Sequence, residues 1–144
     1  MKKYIAAAAL IVLLLSGTAM AASPDAAAFS GEQDIAGKWV DTMLVKRDSS
    51  AALKLMAGDA QKEIDKAKLN TLSGDIASRL GQLKERRFVS WTRFDQADQM
   101  IYLMTFEKEP AVRCALLFDK KGQLQNFALT LLKEKAEKPA AKQK

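Results

Sequence analysis

The chain has 144 residues, with 23 Lys and Arg against 17 Asp and Glu, no histidine and a single cysteine. This is length for one domain with a modest core, and one cysteine excludes an intramolecular disulfide. The lack of histidine removes the commonest general base, the usual serine and cysteine triads and most zinc sites.

The chain opens with the three parts of a cleavable secretory signal: Lys2 and Lys3, an uncharged apolar run over 5–15, and the small residues of Ala19-Met20-Ala21. Cleavage is expected after Ala21, with Ala22 the neighbouring alternative. The apolar run is about 11 residues, short of the roughly 20 that a membrane-crossing helix needs. Residues 1–21 therefore read as a signal peptide, and the product as periplasmic or secreted. In an oxidising compartment such a domain is held by packing alone. Cys114, between Val112 and Leu116 in an alternating stretch, reads as a buried thiol.

The net charge of +6 is spread unevenly. Lys2 and Lys3 leave with the signal, and residues 133–144 hold five lysines against Glu134 and Glu137, so the part between carries only about +1. That is no footprint for nucleic acid, which calls for a clustered basic face.

Residues 22–30, rich in Ala with Ser23 and Pro24, read as a flexible leader. Ser30-Gly31-Glu32-Gln33 has capping-box spacing, and Ile35, Trp39, Val40, Met43 and Leu44 follow at helical intervals, predicting a helix over 31–46. Asp48 or Ser49 caps a short second helix stopped by Gly58, and Asp59 opens a further turn. Leu69, Leu72, Ile76, Leu80 and Leu83 form a stripe that predicts a helix over 66–83 capped by Asp65. The period then changes to two. Strands are predicted at 88–94, 100–106, 112–118 and 124–132, with Asp119-Lys120-Lys121-Gly122 as the last hairpin turn. The fold class is therefore α+β: three or four N-terminal helices on an antiparallel sheet of four or more strands, in one domain over 31–132. The tail, 133–144, has no apolar face and is expected to be disordered.

A signal segment, a helix carrying Gly37-Lys38-Trp39-Val40, short helices, a leucine-striped helix and strands closing on Asp119-Lys120-Lys121-Gly122 resemble the nuclear transport factor 2-like superfamily. Within it, the chain resembles the small exported bacterial domains of unknown function. The resemblance covers about 31–132 and implies a cone in which helices pack into a curved sheet with a pocket at the open end. It also implies five or six strands, where the sequence predicts four. That fold hosts enzymes, binders and structural modules alike, so it carries little functional weight.

Asp48, Asp59 and Asp65 read as helix caps, and no acidic cluster has ligand spacing, so neither metal nor cofactor is expected. An isomerase of the ketosteroid type requires a carboxylate base facing a tyrosine and a protonated acid; Tyr102 is the one tyrosine after export, and the strands show no acidic partner for it. A four-residue hairpin loop over 107–110 sets Met104 opposite Arg113. Arg113 then stands alone among Met100, Tyr102, Phe106, Phe127 and Leu129, on a wall suited to a carboxylate or other anion. A loop one residue longer or shorter turns Arg113 to the other face, and pairing with Glu107 or Glu109 is the competing reading. Trp39 and Trp91 read as core residues whose indole N–H groups need partners, which a pocket lining also supplies. The candidate ligand-binding residues are thus Arg113, Tyr102, Trp39 and Trp91.

The leading expectation is a non-catalytic periplasmic module that binds a small apolar or anionic ligand or another protein. A homodimer through the outer sheet face is expected with it. The alternatives are a small pocket enzyme of isomerase or hydrolase type and an envelope-associated protein tethered weakly to anionic surfaces by its basic tail.

Overall fold

A computed structural model describes residues 23–132. The expected signal segment 1–21 and the basic tail 133–144 lie outside the described residues. By its contacts the chain falls into two units, Met1–Ser30 and Gly31–Lys144, of which the second holds the sheet.

The first helix, α1, runs over Pro24–Val40 and so begins before the predicted start. Residues 24–30, read above as a flexible leader, are its first turns. The reason is local: Ser23 Oγ accepts the Ala26 N–H at 3.1 Å, Pro24 occupies the first helical position, and alanines follow. Ser30, read as a cap, is instead a mid-helix residue. At its end α1 widens into a π-helical turn, Asp41–Val45, closed by Lys46 N–H to Asp41 O at 2.8 Å. Thr42 Oγ1 donates to Lys38 O and Trp39 O there, and such back-bonding bends helices. Arg47 then takes the left-handed conformation at φ 59°, which ends the run.

Two short helices follow, α2 (Ser49–Lys54) and α3 (Gly58–Glu63). Asp48 caps α2 through the Ala51 N–H. Helix α4, Lys66–Leu80, is capped by Asp65 through the Ala67 N–H. It stops three residues before the predicted end, because Gly81 at φ 79° turns the chain away. A side chain at Gly81 would also meet Glu107, whose Cβ lies 2.8 Å from the Cβ position.

The strands are β1 (Leu83–Arg93), β2 (Asp98–Phe106), β3 (Val112–Phe118) and β4 (Leu124–Leu131), an antiparallel meander in the order β1-β2-β3-β4. The protein is α+β, with the helices N-terminal to the sheet. Among the described residues the pairing outside these strands is one parallel bridge, Met56 to Leu124.

One face of the sheet is buried, through Met100, Tyr102 and Met104 of β2, Val112, Cys114, Leu116 and Phe118 of β3, and Leu124. Trp39, Val40 and Met43 bury with it from α1 and its terminal turn. Val112, Leu116 and Leu124 therefore lie on the same face as Tyr102, the face on which the expected four-residue loop would have set Arg113. The cause is a one-residue change of register. Phe106 N–H bonds Glu109 O at 2.8 Å, so the β2–β3 connection is one residue tighter than a loop over 107–110. Pro110 has no N–H to offer the ladder, and its carbonyl instead accepts the Thr105 hydroxyl. Met104 thus pairs with Val112, and Leu103 with Arg113. The last hairpin turns at Asp119-Lys120-Lys121-Gly122 as expected and sets Phe118 opposite Leu124, and a bulge at Leu117/Phe118 then brings Arg113 opposite Thr130.

Candidate functional site

Between α4 and β4 lies a cleft of about 570 Å³. Leu72, Ile76 and Leu80 of α4 form one wall, and Phe127, Leu129 and Leu131 of β4 the other; Asp75, Arg79 and Glu109 supply the charge. The leucine stripe read from the sequence is only half used in packing. Leu69 and Leu80 are buried, but Leu72 remains 37 % exposed and faces the cleft.

The β4 wall is a sheet edge. Leu132 N–H bonds Ala111 O, which sets the phase of the β3–β4 ladder, so the backbone groups of Phe127, Leu129 and Leu131 point away from β3. The Phe127 N–H is met by the Asn126 side chain at 2.8 Å. At the start of the edge, Leu124 O accepts the Ala57 N–H. The far end of α4 is anchored to the β2–β3 turn: Lys108 N–H bonds Leu80 O, Glu107 N–H bonds Gln82 O, and Lys108 Nζ reaches Ser78 O at 2.8 Å.

The four residues singled out in the sequence divide between the two faces of the sheet. Trp39 is fully buried and lies 4.5 Å from Phe127, ring centre to ring centre, so it backs the cleft wall without lining it. Its Nε1 finds no acceptor among the described residues. Tyr102 is buried at an edge-on contact with Phe88, and burial pushes its phenol above the usual value, Arg86 opposing. Trp91 is half-buried on the same face. Arg113, by contrast, stands exposed on the opposite face, in one row with Arg87 and Leu103. It does not join the wall with Tyr102, because the tighter hairpin turned it over. A sheet-to-sheet homodimer would have to bury this row of arginines.

A second cluster, which sequence reasoning missed, sits where β2 begins. Glu32 of α1 is 1 % exposed and Asp98 of β2 is fully buried. Trp91 Nε1 donates to Glu32 Oε1 at 2.9 Å. Asp98 Oδ1 accepts from Lys120 Nζ at 2.8 Å and Arg93 Nε at 3.1 Å. Lys120 is held further by Phe94 O, and the Arg93 guanidinium lies 5.4 Å from the Trp91 ring centre. Burial raises Glu32 from 4.5 to about 7; the indole hydrogen bond opposes the rise and the neighbouring Asp98 adds to it. Burial alone would raise Asp98 too, but the hydrogen bonds from Lys120, Arg93 and Glu32 more than reverse it and hold that carboxyl below its ordinary value.

The signal for this cluster was present. Glu32 lies four residues before Ala36 and seven before Trp39, on the buried stripe of α1, and Asp98 lies two before Met100, on the core face of β2. Glu32 was read as part of a capping box, and Asp98 falls in the gap between the strands predicted at 88–94 and 100–106. A carboxyl near 7 is poised for acid–base work, yet neither Glu32 nor Asp98 lines the cleft.

Comparisons of the chain with family models, curated proteins and solved structures find no match.

Proposed function

We propose that this protein is a non-catalytic binding module of nuclear transport factor 2-like type, acting outside the cytoplasm, and that the α4–β4 cleft takes a small, elongated, mostly apolar ligand. The observation that carries this reading is the cleft itself: apolar walls from Leu72, Ile76, Leu129 and Leu131 beside a few polar groups, the usual makeup of a small-molecule site. Arg79 offers a charged end of the ligand a partner, and Asp75 and Glu109 discriminate against a second negative charge. The export half of the reading rests on Lys2, Lys3, the apolar run over 5–15 and Ala19-Met20-Ala21.

The test fills the cleft. Ile76 is half-buried, so Ile76→Trp projects an indole into the space while keeping the helix. Thermal unfolding of both proteins is then followed against a panel of single-chain fatty acids and short apolar peptides. A ligand of the native state raises the midpoint with concentration. The wild type is expected to respond to at least one class and the folded Trp variant to none. No response in the wild type, or an equal response in both, overturns the assignment.

A further inference from the structure

The Glu32–Asp98 cluster does more than satisfy buried polar groups. The two carboxyls come from elements far apart in sequence and meet across β1: Trp91 Nε1 donates to Glu32, and Arg93, whose guanidinium lies 5.4 Å from the Trp91 ring centre, donates to Asp98. On Asp98 the load is asymmetric. Both cations sit on Oδ1, while Oδ2 is buried and meets no N–H or hydroxyl donor among the described residues. Two carboxylate oxygens cannot face each other out of water unless a hydrogen lies between them. The group able to supply it is Glu32 in its protonated form, which leaves its Oε1 free to accept from Trp91.

We infer that Glu32 and Asp98 are a proton-operated latch: one proton held between two buried carboxyls fastens the Gly31–Val40 part of α1 to the β1–β2 hairpin, and its loss frees that part of the helix.

Charged groups face the pair from several elements. From β1 comes Arg93, from the β3–β4 turn Lys120, and from β2 Asp98 itself; the charges of α1 at Asp34 and Lys38 pair with each other on its exposed side. Lys120 is committed to Asp98 Oδ1 and Phe94 O, so it is not available to a second carboxylate. Arg93 pulls toward an ionised Glu32, but it too is bonded to Asp98 Oδ1, and burial together with the Asp98 charge outweighs it. When Glu32 ionises, the charge is relieved by moving its carboxylate into water, and that breaks the bond to Trp91. The direction follows from Glu32 standing near 7 when docked and near its ordinary 4.5 when free. The latch is closed in mild acid and opens as pH rises through neutrality. This inference does not depend on the cleft being a ligand site.

Amide hydrogen exchange of α1, corrected for intrinsic rates and referred to the β3 amides, reads the latch directly. With those two values the opening equilibrium is expected to rise about 30-fold between about pH 5.5 and about pH 8.5. Glu32→Gln keeps a donor for Asp98 Oδ2 without a titrating proton, so its profile is expected to be flat over that range. A flat wild-type profile, or a Gln variant that retains the wild-type slope, overturns the latch. Should the variant fail to fold, the carboxyl carbon of Glu32 in the wild type decides by NMR. A midpoint near 7 shared by the α1 amides supports it, and a midpoint near 4.5 sinks it.

Discussion

Where β2 begins, two carboxyls are out of water and are met by an indole, a guanidinium and an ammonium group; where β4 ends, on the same sheet face, the charged residues Asp75 and Arg79 stay exposed around an apolar cleft. The first arrangement specifies one geometry, since a buried polar group without its partner costs several kcal/mol. The second has apolar walls and makes no directional demand of that kind. In the reading proposed above, one end of the sheet holds α1 in place and the other takes the ligand.

The contrast is tested most severely by pH. Glu32 is raised from 4.5 to about 7, so its stabilising contribution is complete below the lower value and is lost as pH rises through the upper one. The loss amounts to about 3 kcal/mol. Asp98 acts in the opposite sense, being held below 3.8: its contribution is present above that value and lost as pH falls through its folded one. Urea unfolding across pH is therefore expected to show greatest stability between about pH 4 and about pH 6. A maximum at about pH 8 would mean that the pair is not buried as described.

Removing the anchor acts next. Asp98→Ala leaves Lys120 and Arg93 without their shared acceptor and Glu32 without its partner. Loss of a fully buried ion pair costs about 3–5 kcal/mol; here the cations are part-exposed and rehydrate, so about 2–3 kcal/mol is expected from denaturant midpoints. At the cleft end, Gly81→Ala forces a side chain into a positive φ and against Glu107, and should cost about 1–2 kcal/mol. It should also loosen the seam that closes α4 on the β2–β3 turn, visible as faster exchange of the Lys108 amide. The smallest effect sharpens the comparison most. Leu72→Ser, at an exposed cleft wall, should change stability by less than about 0.5 kcal/mol while weakening whatever binds the cleft. A large stability loss would show that this wall belongs to the core.

The sequence shows why one half of this contrast was readable and the other was not. Periodicity found the helical stripe of Leu69, Leu72, Ile76 and Leu80 and the change to period two, and hence the α+β order. It could not say that Leu72 would be left exposed and Ile76 only half-buried, since that depends on how far α4 stands from β4. Arg113 turned on a single residue in the β2–β3 connection, and alternation is blind to such a slip. The bulge at Leu117/Phe118 left no mark in composition either. Glu32 and Asp98 went unread for a different reason. A charged residue on an apolar stripe is ordinarily assigned to the element's end, and only the meeting of two such residues from 66 positions apart makes them a site.

Cys114 lies between these two ends, fully buried in β3 with its thiol pushed up to about 12 by burial. A thiol reagent attacks the thiolate at a surface, so here it must wait for the sheet to part. With one cysteine in the chain, each labelled molecule gains a single increment of mass and records a single opening event. The rate of labelling under native conditions then equals the reagent's rate with a free thiol multiplied by the fraction of molecules open at any instant. The meander thus carries its own clock.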